Sequence, residues 1–125
     1  MNMNTAIWIV QALLALAFIM SGLSKLFQPY EKLAAQMGYV NDFSPDAVRA
    51  IGTIEVLSAI GVVLPSLTGV LPWLTPLAAF GLAVTMGGAI STHLRRKEYP
   101  MIIVNLVLLA FAAFVVYGRL VAVPL

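Results

Sequence analysis

The stretch TAIWIVQALLALAFIMSGLSKLF, residues 5–27, carries a single charge, Lys25, close to its end. A helix that crosses a hydrocarbon core about 30 Å thick needs about 20 mostly apolar residues, and this stretch supplies them. Three more stretches of the same kind follow, at about 45–64, 70–94 and 100–121, the regular part of the third starting at Pro76. Together they take up nearly all of the 125 residues, of which 62% are apolar and 10% charged, with a mean hydropathy of +1.00. Soluble domains run near 45–50% apolar and about 25% charged, and a chain this short has too little interior to hide the excess. A free soluble enzyme, a nucleic-acid binder and a disordered chain are thereby excluded. The expectation is an all-α protein: one membrane domain over 1–125, built as an antiparallel up-down bundle of four transmembrane helices.

Helix punctuation marks the boundaries. Ser44-Pro45-Asp46 offers an N-cap, a proline at the first helical position and an acid in the first turn of the second span. Thr75-Pro76 repeats the cap-plus-proline pattern in the third, Pro65 is read as following the second, and Pro100 opens the fourth. The first span lacks the positive n-region and small-residue cleavage site of a signal peptide, so it is expected to be retained. Between Pro29 and Gly38 the sequence predicts a short interfacial helix, with Tyr30, Leu33 and Met37 toward lipid and Gly38 as its stop.

Charge placement predicts orientation. Lys25, Lys32, Arg49, Arg95, Arg96 and Lys97 cluster at the two longer connections, and only Arg119 lies on the opposite side. The positive-inside bias then puts loops 28–44 and 95–99 in the cytoplasm and both termini outside, with Trp8 and Trp73 near the outer boundary. Small residues predict packing. Ala79, Ala83, Gly87 and Ser91 form a four-residue stripe on the third span, with Gly88 beside it, where a neighbouring backbone is expected to approach closely. Gln11, Phe18, Ser21, Gly22 and Lys25 share one face of the first span, and Gly52, Glu55, Ser58 and Ala59 one face of the second.

Glu55 is the most informative residue. Ten positions into its span, it lies about 15 Å deep at 1.5 Å per residue, near the middle of the hydrocarbon. A carboxylate there must be protonated, paired or next to water, and an intramembrane acid is a functional candidate by default. Lys25, His93 and Asn105 fall in the same inner half of the membrane, one on each of the other three helices, so the four can converge. Lys25 can form an ion pair with Glu55, while His93 and Asn105 close a hydrogen-bond network. Blander readings stand beside these: Lys25 snorkelling to headgroups, His93 as an interfacial residue, Asn105 as interhelical glue, and Glu55 in an ion pair that only fixes register. One His and one buried Glu are too few for a metal site, and with no Cys there is no thiol chemistry.

Several motifs, in order, resemble the DoxX-like family of small membrane proteins. Ser21-Gly22-Leu23-Ser24-Lys25-Leu26 is similar to that family's SGxxKL signature. The run from Glu55 to Leu64-Pro65 resembles its acid-containing helix, and Gly88-Ala89-Ile90-Ser91-Thr92-His93 its GAxxxH ending. The resemblance implies a four-helix bundle and an association with quinone-linked oxidoreductase systems, with Lys25, Glu55 and His93 as the matching polar positions. No haem, flavin or metal motif is recognisable in the chain, so redox chemistry would need a bound quinone or a partner subunit rather than an autonomous enzyme.

The leading expectation is therefore a membrane subunit or scaffold of the bacterial inner membrane, with no intrinsic cofactor. Lys25, Glu55, His93 and Asn105 would line a polar pocket for a quinone-like or lipid-like molecule, and an oxidoreductase partner would work beside it. The alternatives are an assembly factor without ligand and, more weakly, a small proton-linked transporter. A homodimer is expected because small bundles gain contact area by pairing.

Overall fold

The computed structural model describes residues 2–125, and all regular structure among them is helical. The elements are α1 (Met3–Phe27), α2 (Tyr30–Gln36), a 3₁₀ segment (Gly38–Asp42), α3 (Pro45–Thr68), α4 (Leu74–Arg95) and α5 (Tyr99–Tyr117). The last continues as a π-helical turn, Gly118–Ala122. Helices α1, α3, α4 and the continuous run from Tyr99 to Ala122 are each long and apolar enough to cross a membrane.

The ends form for identifiable reasons. Asn2 Oδ1 accepts from Thr5 N–H at 2.9 Å, and Ser44 Oγ from Ala47 N–H at 3.1 Å, each filling an orphan donor of a first turn. The second span runs past its expected end. Pro65 lies inside α3, and the helix stops only at Gly69, a left-handed C-cap with φ of 74° whose N–H reaches Pro65 O at 2.9 Å. The proline is tolerated because it lies in the last turn, where only one rung of the ladder is lost. Thr75 is not a cap. Helix α4 starts a residue earlier, and Thr75 is buried with its hydroxyl 2.8 Å from that of Ser66. Pro76 fits because first-turn positions need no N–H.

Helices α1 and α3 pack most closely, at Gly22 and Gly52. A Cβ built on Gly22 would lie 2.7 Å from the Gly52 carbonyl oxygen, and one on Gly52 2.8 Å from Lys25 Cβ. Close packing of small residues is what holds helices together where lipid supplies no hydrophobic drive. The stripe on α4 behaves otherwise: Ala79 is buried, but Gly87 and Ser91 are exposed, and a Cβ on Gly87 or Gly88 would meet nothing within 4 Å. The expected backbone approach therefore occurs on α1 and α3 instead, because the α4 stripe winds out of the bundle along its length.

Leu14, Phe18, Val62, Leu82, Met86 and Val115 form the main core. Leu13, Leu16, Leu57, Phe80, Ile103 and Leu106 point outward, which water would penalise and lipid does not. The linker is a correction too. Leu33 is fully buried against Val40 and Val48, with Tyr30 and Met37 packed on them, so this face of α2 covers protein rather than lipid. Gly38 opens the 3₁₀ segment instead of ending α2, whose C-cap is Met37.

Candidate functional site

At one end of the bundle all four expected residues line a single cavity of about 490 Å³, within the range of small-molecule sites. Lys25 comes from α1, Glu55 from α3, His93 from α4 and Asn105 from α5, and the rest of the wall is mostly apolar, with Phe18 and Met86 among it.

Lys25 does not snorkel. Its Nζ turns back toward the bundle interior, donates to Ser21 Oγ at 2.5 Å and lies 2.9 Å from Glu55 Oε1. Both side chains are nearly inaccessible, at 8% and 4%. The Nζ–Oε1 approach is that of an ion pair without the angle of a hydrogen bond, so the carboxylate keeps acceptor capacity to spare. The backbone around the pair is tied down as well. Pro29 has no N–H to give the Lys25 carbonyl, and the Arg49 guanidinium of α3 donates to that carbonyl instead.

His93 is buried among protein side chains. Tyr39 stands edge-on to its ring at 5.1 Å, and Nδ1 lies 2.9 Å from Glu98 Oε1. Glu98 reaches back because Lys97 takes a left-handed conformation, φ 59°, and Glu98 N–H bonds the His93 carbonyl at 2.9 Å. The side-chain hydrogen bond with His93 Nδ1, and then Arg96, hold the Glu98 carboxyl below the usual range. Arg96 in turn bonds Asp42 Oδ1 at 2.9 Å, so the residues after α4 are clasped to the 3₁₀ segment.

Asn105 is buried and its Nδ2 has no hydrogen-bond partner. The four residues thus meet around the cavity without closing one network: among the described residues no hydrogen bond or ion pair joins His93 or Asn105 to Lys25 or Glu55. The separation comes from the empty space between them. The wall is thin at Gly88, Met101 and Val104, which are themselves exposed.

Sequence reasoning missed Tyr39 and Glu98. The signal for Glu98 was present, an acid just past the end of α4 and five residues after a histidine, but pairing them needs the left-handed turn at Lys97. It also missed how the opposite end is organised. There Arg119 is 3% exposed; its Nε donates to Gln11 Oε1 and its Nη1 to Asn4 Oδ1, both at 2.8 Å, and the guanidinium lies 5.5 Å from the Trp8 ring centre. Gln11 Nε2 donates to the Val62 carbonyl at 2.6 Å and to Ser66 Oγ at 3.1 Å. A further groove of about 540 Å³ lies between α3 and α4 and is lined by Leu57, Leu64, Leu77 and similar residues, with no charged side chain.

Four spanning helices around a buried polar cavity define a small helical membrane protein. The sequence profile of the DoxX-like family matches residues 9–115, and the chain belongs to that family. Neither the curated proteins nor the solved structures contain a match to it.

Proposed function

We propose that this protein is a small membrane subunit or scaffold whose polar cavity holds a quinone-like or lipid-like molecule, and that an oxidoreductase partner acts beside it. The observation that carries the reading is Asn105: a buried amide donor without a partner, on the wall of a cavity that also presents an ion pair and a histidine. In a membrane interior an unfilled donor is costly, and a ligand carbonyl would fill it. The apolar remainder of the wall suits a ring or chain. With no Cys in the chain, electrons would enter and leave through the partner. The charge clusters support placing residues 28–44 and 95–99 on the cytoplasmic face of a bacterial inner membrane and both termini outside.

The test is mass spectrometry of the gently extracted protein beside its Gly88→Leu variant. A Cβ at Gly88 meets nothing within 4 Å, so a leucine there starts from open space at the cavity wall. A quinone or lipid retained by the wild type and lost from the variant, with unchanged helical content, is the expected result. The same occupant retained in equal amount by both would refute the reading. A second reading, an assembly factor without ligand, draws on the Lys25–Glu55 pair lying directly against the Gly22–Gly52 contact, where it would fix register. Recovery of a stoichiometric protein partner and no small molecule would favour it.

A further inference from the structure

The hydrogen-bonding role of His93 is set from outside the cavity. A carboxylate only accepts, so a neutral His93 facing Glu98 carries its proton on Nδ1 and keeps a lone pair on Nε2. Among the described residues Nε2 has no partner, and the ring lines the cavity. The cationic neighbours are turned to other partners: Lys25 Nζ to Ser21 and Glu55, Arg95 to Thr92, and Arg96 to Glu98 and Asp42. A neutral His93 thus offers the cavity an acceptor, Glu55 adds acceptor capacity, and Asn105 offers a donor.

A quinone offers only acceptor oxygens. It would satisfy Asn105 and leave His93 Nε2 unfilled. A hydroquinone has a hydroxyl that can donate to Nε2, and its second oxygen can still accept from Asn105. We propose that the cavity selects the reduced, hydroxyl-bearing form of a quinone-type ring over the oxidised form, with Glu98 setting the preference by fixing the His93 tautomer. The inference rests on the cavity reading above and adds the chemical form of the occupant. No bond is made or broken in this recognition; only hydrogen bonds are exchanged.

The experiment is titration calorimetry of the full chain in detergent micelles. The probes are a short-chain benzoquinone and its hydroquinone, the latter held reduced by ascorbate without oxygen. An acceptor left unfilled in the quinone complex sets the scale, and the hydroquinone is expected to bind about tenfold more tightly. For a two-electron couple, that raises the potential of the bound pair by about 30 mV. Glu98→Gln is the sharpest variant, because a glutamine amide can donate to Nδ1 and release the other tautomer. The preference is expected to fall below about threefold, with helical content and thermal midpoint showing that the variant is folded. Asn105→Leu is expected to weaken both forms together and leave their ratio unchanged. Wild-type protein that binds the quinone as tightly as the hydroquinone overturns this inference but leaves the cavity reading standing. So does a tenfold preference that survives Glu98→Gln. If neither form binds, this inference and the quinone half of the cavity reading fail together, and a lipid retained on extraction would leave the lipid half standing.

Discussion

Alanine at Gly22 or Gly52 tests whether the α1–α3 seam organises the bundle. An alanine Cβ at position 22 would lie 2.6 Å from Val56 Cγ2 and 2.7 Å from the Gly52 oxygen; at position 52 it would lie 2.9 Å from the Gly22 oxygen. Two of these obstacles are backbone atoms, which cannot swing aside. Ordinary contact begins near 3.4 Å, so the helices must part by about 0.5–0.7 Å, enough to forfeit a quarter to a half of each dispersion well along the seam. Overpacking of this kind costs about 1–3 kcal/mol. Against it stands the gain of about 1 kcal/mol from replacing glycine by alanine inside a helix. A net loss of up to about 2 kcal/mol is expected for each variant. Gly87→Ala and Gly88→Ala are the controls, since nothing lies within 4 Å of a Cβ there. They keep the propensity gain, so they should match the wild type or exceed it by up to about 1 kcal/mol. Reversible unfolding in mixed micelles, followed by circular dichroism, measures all four. If Gly22→Ala and Gly87→Ala shift stability equally, the seam is not where the helices are held.

Three further outcomes follow from the polar contacts. Lys25→Met strands the Glu55 carboxylate and should cost about 3–5 kcal/mol, while Lys25→Met with Glu55→Leu should recover most of the loss; the same unfolding titration reads both, and a double variant as unstable as the single one would contradict the pairing. Arg119→Leu leaves Gln11 Oε1 without its donor and frees Asn4, for an expected loss of about 2–3 kcal/mol and faster hydrogen exchange over residues 118–123. Unchanged exchange there would show that Arg119 does not hold the π-helical turn. The His93 hydrogen bond and Arg96 depress the Glu98 carboxyl, so their contribution is complete above the ordinary glutamate value near 4.3 and is lost as pH falls through the lower folded value. Hydrogen exchange at residues 96–99 should accelerate over that acidic window in the wild type but not in Glu98→Gln.

The four spans were legible because hydropathy over some 20 residues is a long-window property that no single contact can override. Boundaries were less so. Pro65 read as a stop, yet what ends α3 is the left-handed glycine four residues later, and nothing local distinguishes a proline in a last turn from one just beyond it. Thr75 read as a cap because threonine before proline has that form, whereas its hydroxyl is spent across the bundle on Ser66. The small-residue stripe shows the limit of pattern alone. Alanines and glycines at four-residue spacing mark a face, but which glycine meets a neighbour depends on where two helices cross, and that is set by both partners.

The convergence of Lys25, Glu55, His93 and Asn105 was readable from depth, since each helix places one of them in the same half of the membrane. What depth cannot show is which polar atoms are left unfilled, and the two ends of the bundle differ in that respect. At the Arg119 end the side chains consume one another: both ends of the Gln11 amide are used, Ser66 and Thr75 share a hydrogen bond, and the guanidinium has three acceptors and an indole face. Its Nη2 lacks a partner, but Arg119 lines neither of the two cavities described above. At the other end Asn105 Nδ2 also lacks a partner, and there the orphan faces about 490 Å³ of space beside a histidine whose Nδ1 is engaged by Glu98. The Arg119 network therefore reads as a clamp that joins the first and last turns of the bundle. An unfilled donor and an acceptor across an apolar cavity read as half of a recognition surface, the other half being the oxygens of a guest.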